Sequence, residues 1–277
     1  MFLAARSPAD ASAAAAAILG APYDRTSSFR RGARFGPAAI RWASHSIESY
    51  SPLLERDLED LVLVDRGDLE IESLPPEAMA AAVEAAVAGI FAGGGLPVLF
   101  GGDHAVTPGA VRAAVAAHPD LRVLILDAHL DLRQEYDGSR WSHATVTRRI
   151  LEQLTPDRVA MLGVRSGTAE EFGAAAHLLA AEPLLRLTPQ VWSALEGTPL
   201  YLSVDLDVVD PSAAPGVGNP EPAGPSAADL LGLLRGLAPL RVVGMDLVEV
   251  APPYDPSGRT AVLAATIIRD ALLTWVR

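Results

Sequence analysis

The chain contains no cysteine, which removes disulfides, thiolate nucleophiles and Cys-ligated zinc from consideration at once. Aromatic residues make up only 5% of it, so Ala, Leu and Val must fill most of its core. Basic side chains are the minority, 22 against 34 acidic ones, for a formal charge of -12. A surface of that sign repels nucleic-acid backbones and anionic lipid and attracts a small cationic substrate. Apolar runs of about 18 residues, the length a membrane span needs, are also missing. The longest candidate, "AMAAAVEAAVAGIFAGGGLPVLF", is broken by Glu84 and a glycine triplet. The opening "MFLAARSPADASAAAAAILGA" has no compact Leu-rich segment of the signal-peptide kind and reads as a frayed start followed by a strand. These absences leave the cytoplasm as the default compartment.

What is present is ample apolar material, 50% of 277 residues, and a regular alternation of short β-like strings with longer helix-periodic stretches. Strands are expected at "AAAILG", "LVLVD", "LPVLFG", "LRVLILD", "VAMLGV", "LYLSVDLD" and "RVVGMDLVEV". Helices are expected at "GPAAIRWASHSI", "PEAMAAAVEAAVAGIF", "TPGAVRAAVAAH", "HATVTRRILEQL", "AEEFGAAAHLLA", "SAADLLGLLRGL" and the terminal "TAVLAATIIRDALLTWV". Strands without a polar face are buried on both sides, so the pattern predicts an α/β fold with a mainly parallel sheet covered by helices. No linker or repeat divides the chain, and one domain over residues 1–277 is expected. The Pro/Gly cluster "DPSAAPGVGNPEPAGPS" follows a strand, where a functional loop is placed.

Ligands of parallel sheets gather beyond the carboxyl ends of the strands. The residues there are Asp103 and His104 in "VLFGGDH", Asp127, His129 and Asp131 in "LILDAHLD", Asp205 and Asp207 in "YLSVDLDVVD", and Glu249 in "MDLVEV". If these segments stay extended, Asp127, His129 and Asp131 point to one side, as do Asp205 and Asp207. Carboxylates with a little imidazole and no thiolate suit Mn²⁺ or Mg²⁺. Four aspartates contribute about -4, a charge that two divalent ions balance and one does not. Any single Asp after a strand is ordinarily a cap or turn residue, but that reading must then explain three strand ends and two of only six histidines. Asp103, between glycines and His104, reads as a turn residue or as a group behind the ligands.

The blocks "GGDH", "DAHLD" and "SVDLDVVDP" resemble the signatures of the ureohydrolase family of arginases and agmatinases. The likeness extends to "GAPYDRTSSFRRGARFGPAAIR" and "DLVEVAPPYDPSGRTAVLAA", so it covers nearly the whole chain and looks more like agmatinases than arginases. The resemblance implies a three-layer α/β/α sandwich with a sheet of about eight strands. It further implies two Mn²⁺ ions: His104 and Asp131 as ligands of the first, His129 and Asp207 of the second, and Asp127 and Asp205 bridging. By the same resemblance Glu249 pairs with the guanidinium of a substrate, and His143 of "WSHATVTRRI" passes a proton to the departing amine, a role suited to titration near neutrality. Read alone, Glu249 could be a buried cap and the Ser-His pair a helix cap. Family members commonly assemble as trimers or hexamers, so a homo-oligomer is expected.

The implied reaction is attack by hydroxide, formed between the two cations, on a guanidinium carbon, giving urea and an amine. Agmatine, which gives putrescine, leads among substrates. N-substituted agmatines and guanidino acids follow, and arginine is disfavoured because "LRQEYDGSRWSH" lacks the Asn that arginases use for the amino-acid head group. In that loop Glu135 and Asp137 could receive a distal ammonium, and Arg133 or Arg140 a carboxylate. Ala144 and Val146 depart from the "SHGTP" of many agmatinases, and Val217, Asn219 and Ala223 from "PGTGTPEPGG". Two readings from other classes stand beside this one. A metal-dependent deacylase would have no buried carboxylate awaiting a cation, and a non-catalytic binding protein would lack some of the ligands.

Overall fold

A computed structural model describes residues 1–10 and 14–276. Its centre is an eight-stranded sheet in the order β4-β1-β5-β10-β9-β6-β7-β8, with every pairing parallel. In chain order the elements are β1 (Ala16–Ala21), α1 (Gly36–Ser44), β2 (Tyr50–Ser51), β3 (Arg56–Asp57), β4 (Leu63–Asp68), α2 (Pro76–Ala92), β5 (Leu96–Gly101), α3 (Thr107–Ala117) and β6 (Arg122–Leu126). They continue with α4 (Val146–Ile150), β7 (Val159–Leu162), α5 (Ala169–Ala175), β8 (Ala180–Glu182), α6 (Pro189–Leu195), β9 (Pro199–Asp205), α7 (Ala227–Gly236), β10 (Arg241–Val248) and α8 (Arg259–Trp275). The short pair β2 and β3 forms a separate antiparallel ribbon.

The three layers follow from the alternation of side chains along each strand. On β6, Leu124 and Leu126 join the apolar cluster that includes Ile40 of α1, Val191 of α6, Leu230 of α7 and Ile267 of α8. Val123 and Ile125, one step out of phase, join Val83 of α2, Val111 of α3 and Ile150 of α4. Both faces of β6 are therefore dry, which is why its sequence shows no polar alternation. The helix expected over 143–154 is a short turn, His143–Thr145, followed by α4.

Two expectations need correction. The first residues are not a frayed start: Phe2 is buried, its ring centroid lies 5.6 Å from that of Phe100, and its N–H donates to Asp65. Burial and pairing tie this terminus down. The eighth strand, β8, and the helix α6 have no counterpart among the elements read from sequence; Ala180, the first residue of β8, was expected to end a helix.

Candidate metal centre

Four adjacent strands in the middle of the sheet, β5, β10, β9 and β6, end on one edge, and each is followed by acidic or imidazole side chains. After β5 the chain turns sharply against the segment leaving β1: Asp103 N donates to Tyr23 O at 2.6 Å, and a Cβ on Gly102 would lie 1.9 Å from that carbonyl. Only glycine fits there. Asp103 then caps the turn that starts at His104 by accepting from Ala105 N. After β6, Asp127 Oδ1 accepts from His129 N at 2.6 Å, and after β9, Asp205 Oδ1 accepts from Asp207 N at 2.8 Å.

These bonds correct the extended-segment argument. Strand β6 stops at Leu126, Asp131 has a left-handed φ of 50°, and residues 206–208 form a tight helical turn. Asp tolerates the left-handed region because its short side chain bonds locally. The side chains do converge, but by compact turns instead of strand alternation.

All six groups meet. His104 Nδ1 lies 3.1 Å from Asp127 Oδ2, 3.2 Å from Asp205 Oδ2 and 3.5 Å from Asp131 Oδ2. His129 Nδ1 lies 3.0 Å from Asp207 Oδ2 and 3.6 Å from Asp127 Oδ1. Asp127 thus stands between two ligand sets, His104 with Asp131 and His129 with Asp207. Donors about 2.1 Å from one octahedral cation sit about 3 Å apart, which matches these spacings. His104 Nδ1 and Asp127 Oδ2 are buried and make no hydrogen bond, a combination proteins avoid unless a ligand completes it. The residues fit a pair of divalent cations.

The electrostatics agree. Burial, then repulsion from Asp207 and Asp127, pushes Asp205 well above the usual carboxylate range, and burial with Asp127 pushes Asp131 up to about 7. Burial opposes ionisation of Asp127 too, but His104 and His129 hold it below the usual range. Burial also disfavours charge on both imidazoles, yet the carboxylates around them raise each far above its ordinary value. Positive charge is demanded here, whether as protons on imidazole or as metal.

Behind the cluster, His104 Nε2 meets Ser203 Oγ at 3.1 Å, Ser203 donates to Asp246 at 2.6 Å, and Tyr201 donates to the other oxygen of Asp246 at 2.9 Å. Such partners fix a ligating ring. Sequence reasoning missed them, although Tyr201, Ser203 and Asp205 alternate along β9 on one face and so carried a signal. His129 Nε2 lies 3.8 Å from Glu221 Oε2.

Two further predicted residues border the cleft. Glu249, buried with a φ of 64°, accepts from His104 N through Oε1 at 3.0 Å, while Oε2 has no partner. Burial, then Asp103 and Asp207, raises its pKa well above the carboxylate range, so a bound cation would restore its charge. His143 sits between two hydroxyls, Ser28 Oγ at 3.2 Å from Nε2 and Ser142 Oγ at 3.2 Å from Nδ1. Its N–H donates to Thr26 Oγ1, which itself donates to Asp103 at 2.8 Å. Burial drives the imidazole down to about 4, against a hydrogen bond to the Thr26 backbone, and the neighbouring His129 and His104 add to the shift.

The cleft has a volume of about 370 Å³. Arg133 lines it, as do Tyr136, Asn219 and Glu221; Glu135, Asp137 and Arg140 do not. The reason is local: Tyr136 and Ser139 bond to each other across a tight turn with Asp137 near its tip, and Arg140 pairs with Glu152 at 2.7 Å. Arg133 lies 3.7 Å from Glu171 and stacks 5.2 Å from the Tyr136 ring. Of the departures from the common motifs, Val217 is buried and bridges Val250, and Ala223 takes a left-handed φ of 63°.

A parallel three-layer sheet whose central strand ends gather carboxylates and imidazoles has the architecture of a metal-dependent hydrolase. Comparison narrows this: residues 14–274 match the arginase family. Over 269 residues the chain is 39% identical to an agmatinase of Bacillus anthracis, covering 94% of this chain and 91% of that protein. It is 35% identical to a guanidinobutyrase of Pseudomonas aeruginosa over 281 residues, 96% of this chain and 88% of that one. The crystal structure of agmatine ureohydrolase of Thermoplasma volcanium superposes with a TM-score of 0.85 at 36% identity, covering 94% and 89% of the two chains. The chain belongs to the arginase family, a family of binuclear metal enzymes, and is an agmatinase-like ureohydrolase.

Proposed function

We propose that the protein is a manganese-dependent amidinohydrolase that cleaves agmatine to urea and putrescine. The observation that carries this reading is the unpartnered Oε2 of buried Glu249, in the wall of the same cleft as the carboxylate and imidazole cluster. His104 and Asp131 would hold one ion, His129 and Asp207 the other, with Asp127 and Asp205 shared. Two divalent cations bound there would supply the Lewis-acid chemistry that activates water for attack at neutral pH. Glu249 binds the guanidinium and keeps it from rotating. Asp131, with one oxygen toward His104, orients the attacking water. His143, kept neutral by burial, accepts at Nε2 the proton that the attacking water loses and gives it to the departing amine, while exposed Ser28 connects that nitrogen to solvent. The whole chain acts as one catalytic unit, in the cytoplasm, within a homo-oligomer.

Agmatine is favoured because the relatives named agmatinase are more similar than the guanidinobutyrase, 39% against 35%. Arg133 in the cleft wall favours a second reading, a guanidino acid whose carboxylate it would meet. The test is urea release from agmatine, 4-guanidinobutyrate and arginine by Mn²⁺-loaded protein, with and without a chelator. Agmatine turnover that the chelator abolishes is expected. Turnover of 4-guanidinobutyrate alone would establish the second reading, and no urea from any of them would refute both.

A further inference from the structure

Arg165 lies three residues past the end of β7, outside every motif discussed so far. A guanidinium has five N–H donors in a rigid fork, and here each has an acceptor. Nε donates to Pro222 O at 3.1 Å, Nη1 to Gly163 O at 3.0 Å and Val208 O at 3.1 Å, and Nη2 to Asp207 O at 3.0 Å and Glu221 O at 2.7 Å. All five acceptors are main-chain carbonyls: one is the neighbouring Gly163, and the others come from two stretches more than 40 residues away, 207–208 and 221–222. The first stretch contains the ligand candidate Asp207, and the second adjoins Asn219 and Pro220, which with Glu221 line the cleft.

The backbone of Arg165 reaches a further stretch. Its N–H and that of Ser166 both donate to Ala128 O, and Leu130 N donates to Ser166 O, so it is fixed to the segment that presents Asp127 and His129. Gly224 permits the arrangement: a Cβ there would lie 2.6 Å from Arg165 Nη2. A surface arginine ordinarily finds a carboxylate or water. One whose every donor is spent on carbonyls ties loops together, and the loops tied here form two walls of the cleft.

We infer that Arg165 is a positioning residue for the reaction proposed above. It holds the Asn219–Pro222 loop against the Asp207 turn, so the cleft is preformed before substrate arrives. The inference rests on that reading of the cleft, but its structural half can be measured without turnover. Lysine cannot replace it, because an ammonium presents three donors at one point and cannot span carbonyls on opposite sides of a planar fork.

The experiment uses the Mn²⁺-loaded full-length protein with Arg165→Lys and Arg165→Gln. Amide hydrogen exchange is measured over residues 206–224 and over β5 and β6, alongside Mn²⁺ content and urea kinetics on the best substrate of the panel. In both variants exchange should rise at least tenfold over 206–224 and stay unchanged in the two strands. KM should rise about tenfold or more, kcat should fall less than threefold, and Lys should not rescue. Unchanged exchange over 206–224, or a fall in kcat at constant KM, would overturn the inference. So would recovery of wild-type KM by Arg165→Lys. If one variant fails to fold, the other decides the matter. If the wild type releases no urea, the proposed function fails while the exchange result still judges the clamp.

Discussion

Thr26 illustrates how one hydroxyl serves two groups. It donates to Asp103 and accepts from the N–H of His143, so a buried carboxylate and a candidate proton carrier share one support. Burial sets the environment of His143, and that environment has a measurable consequence for stability. The imidazole has a folded pKa of about 4 against 6.5 when free, so between those values the unfolded chain binds the extra proton. Stability from this group is full above 6.5, declines as pH falls and is lost through 4. In urea unfolding of metal-free protein, His143→Asn should therefore lose less stability than the wild type between pH 6.5 and 4.5. Equal losses would show that the ring is not held neutral by burial.

At the level of elements, the chain was most readable where apolar runs were long. Strands β5, β6, β9 and β10 each follow from a mainly apolar string, interrupted in β9 by Ser203 and in β10 by Gly244 and Asp246, and the acidic residues at their ends mark the working edge because parallel strands all end there. Strand β8 left no such trace: three residues, Ala180–Glu182, cannot display a period and lie close to a helical pattern. Helix α6, seven residues starting at a proline, is short for the same test. The turns that bring Asp131 and Asp207 inward were equally hidden, since a left-handed φ at an aspartate leaves no sequence signal comparable to glycine. Arg165 was overlooked because what defines it is the carbonyls it gathers, and carbonyls carry no residue type.

The same logic yields a test in the loop after β9. Ala223 occupies a left-handed conformation that costs roughly 1–2 kcal/mol for a residue with a Cβ. Ala223→Gly should accordingly stabilise the protein by up to about 1 kcal/mol after the added freedom of the unfolded chain is deducted. A shift of the urea midpoint to higher concentration at constant slope would show it. A shift downward would mean that the methyl group makes contacts that outweigh the strain.

For the molecule as a whole, charge is distributed in an uncommon way: the sequence holds no lysine, so all 22 basic side chains are arginine. Among the described residues no helix is long and apolar enough to cross a membrane. The acidic excess is concentrated, in its most buried part, at the strand ends, and cations bound there should stabilise the fold by mass action. At about 100 times its dissociation constant, one bound ion adds about 2.7 kcal/mol. Calorimetry with and without Mn²⁺ should show a higher melting temperature for the loaded protein, and coincident melts would mean that the cluster binds no metal under those conditions.

The ligand candidates sit side by side in space but are separated along the chain by as much as the span from His104 to Asp207, because β10 and β9 insert between β5 and β6. No fragment ending before β9 can assemble them, and parallel pairing at such separations is slow to form. A refolding chain is therefore expected to complete the pair of cation sites only once its middle strands have docked. Uptake of Mn²⁺ from a fluorescent indicator would time the last step of assembly, without any substrate present.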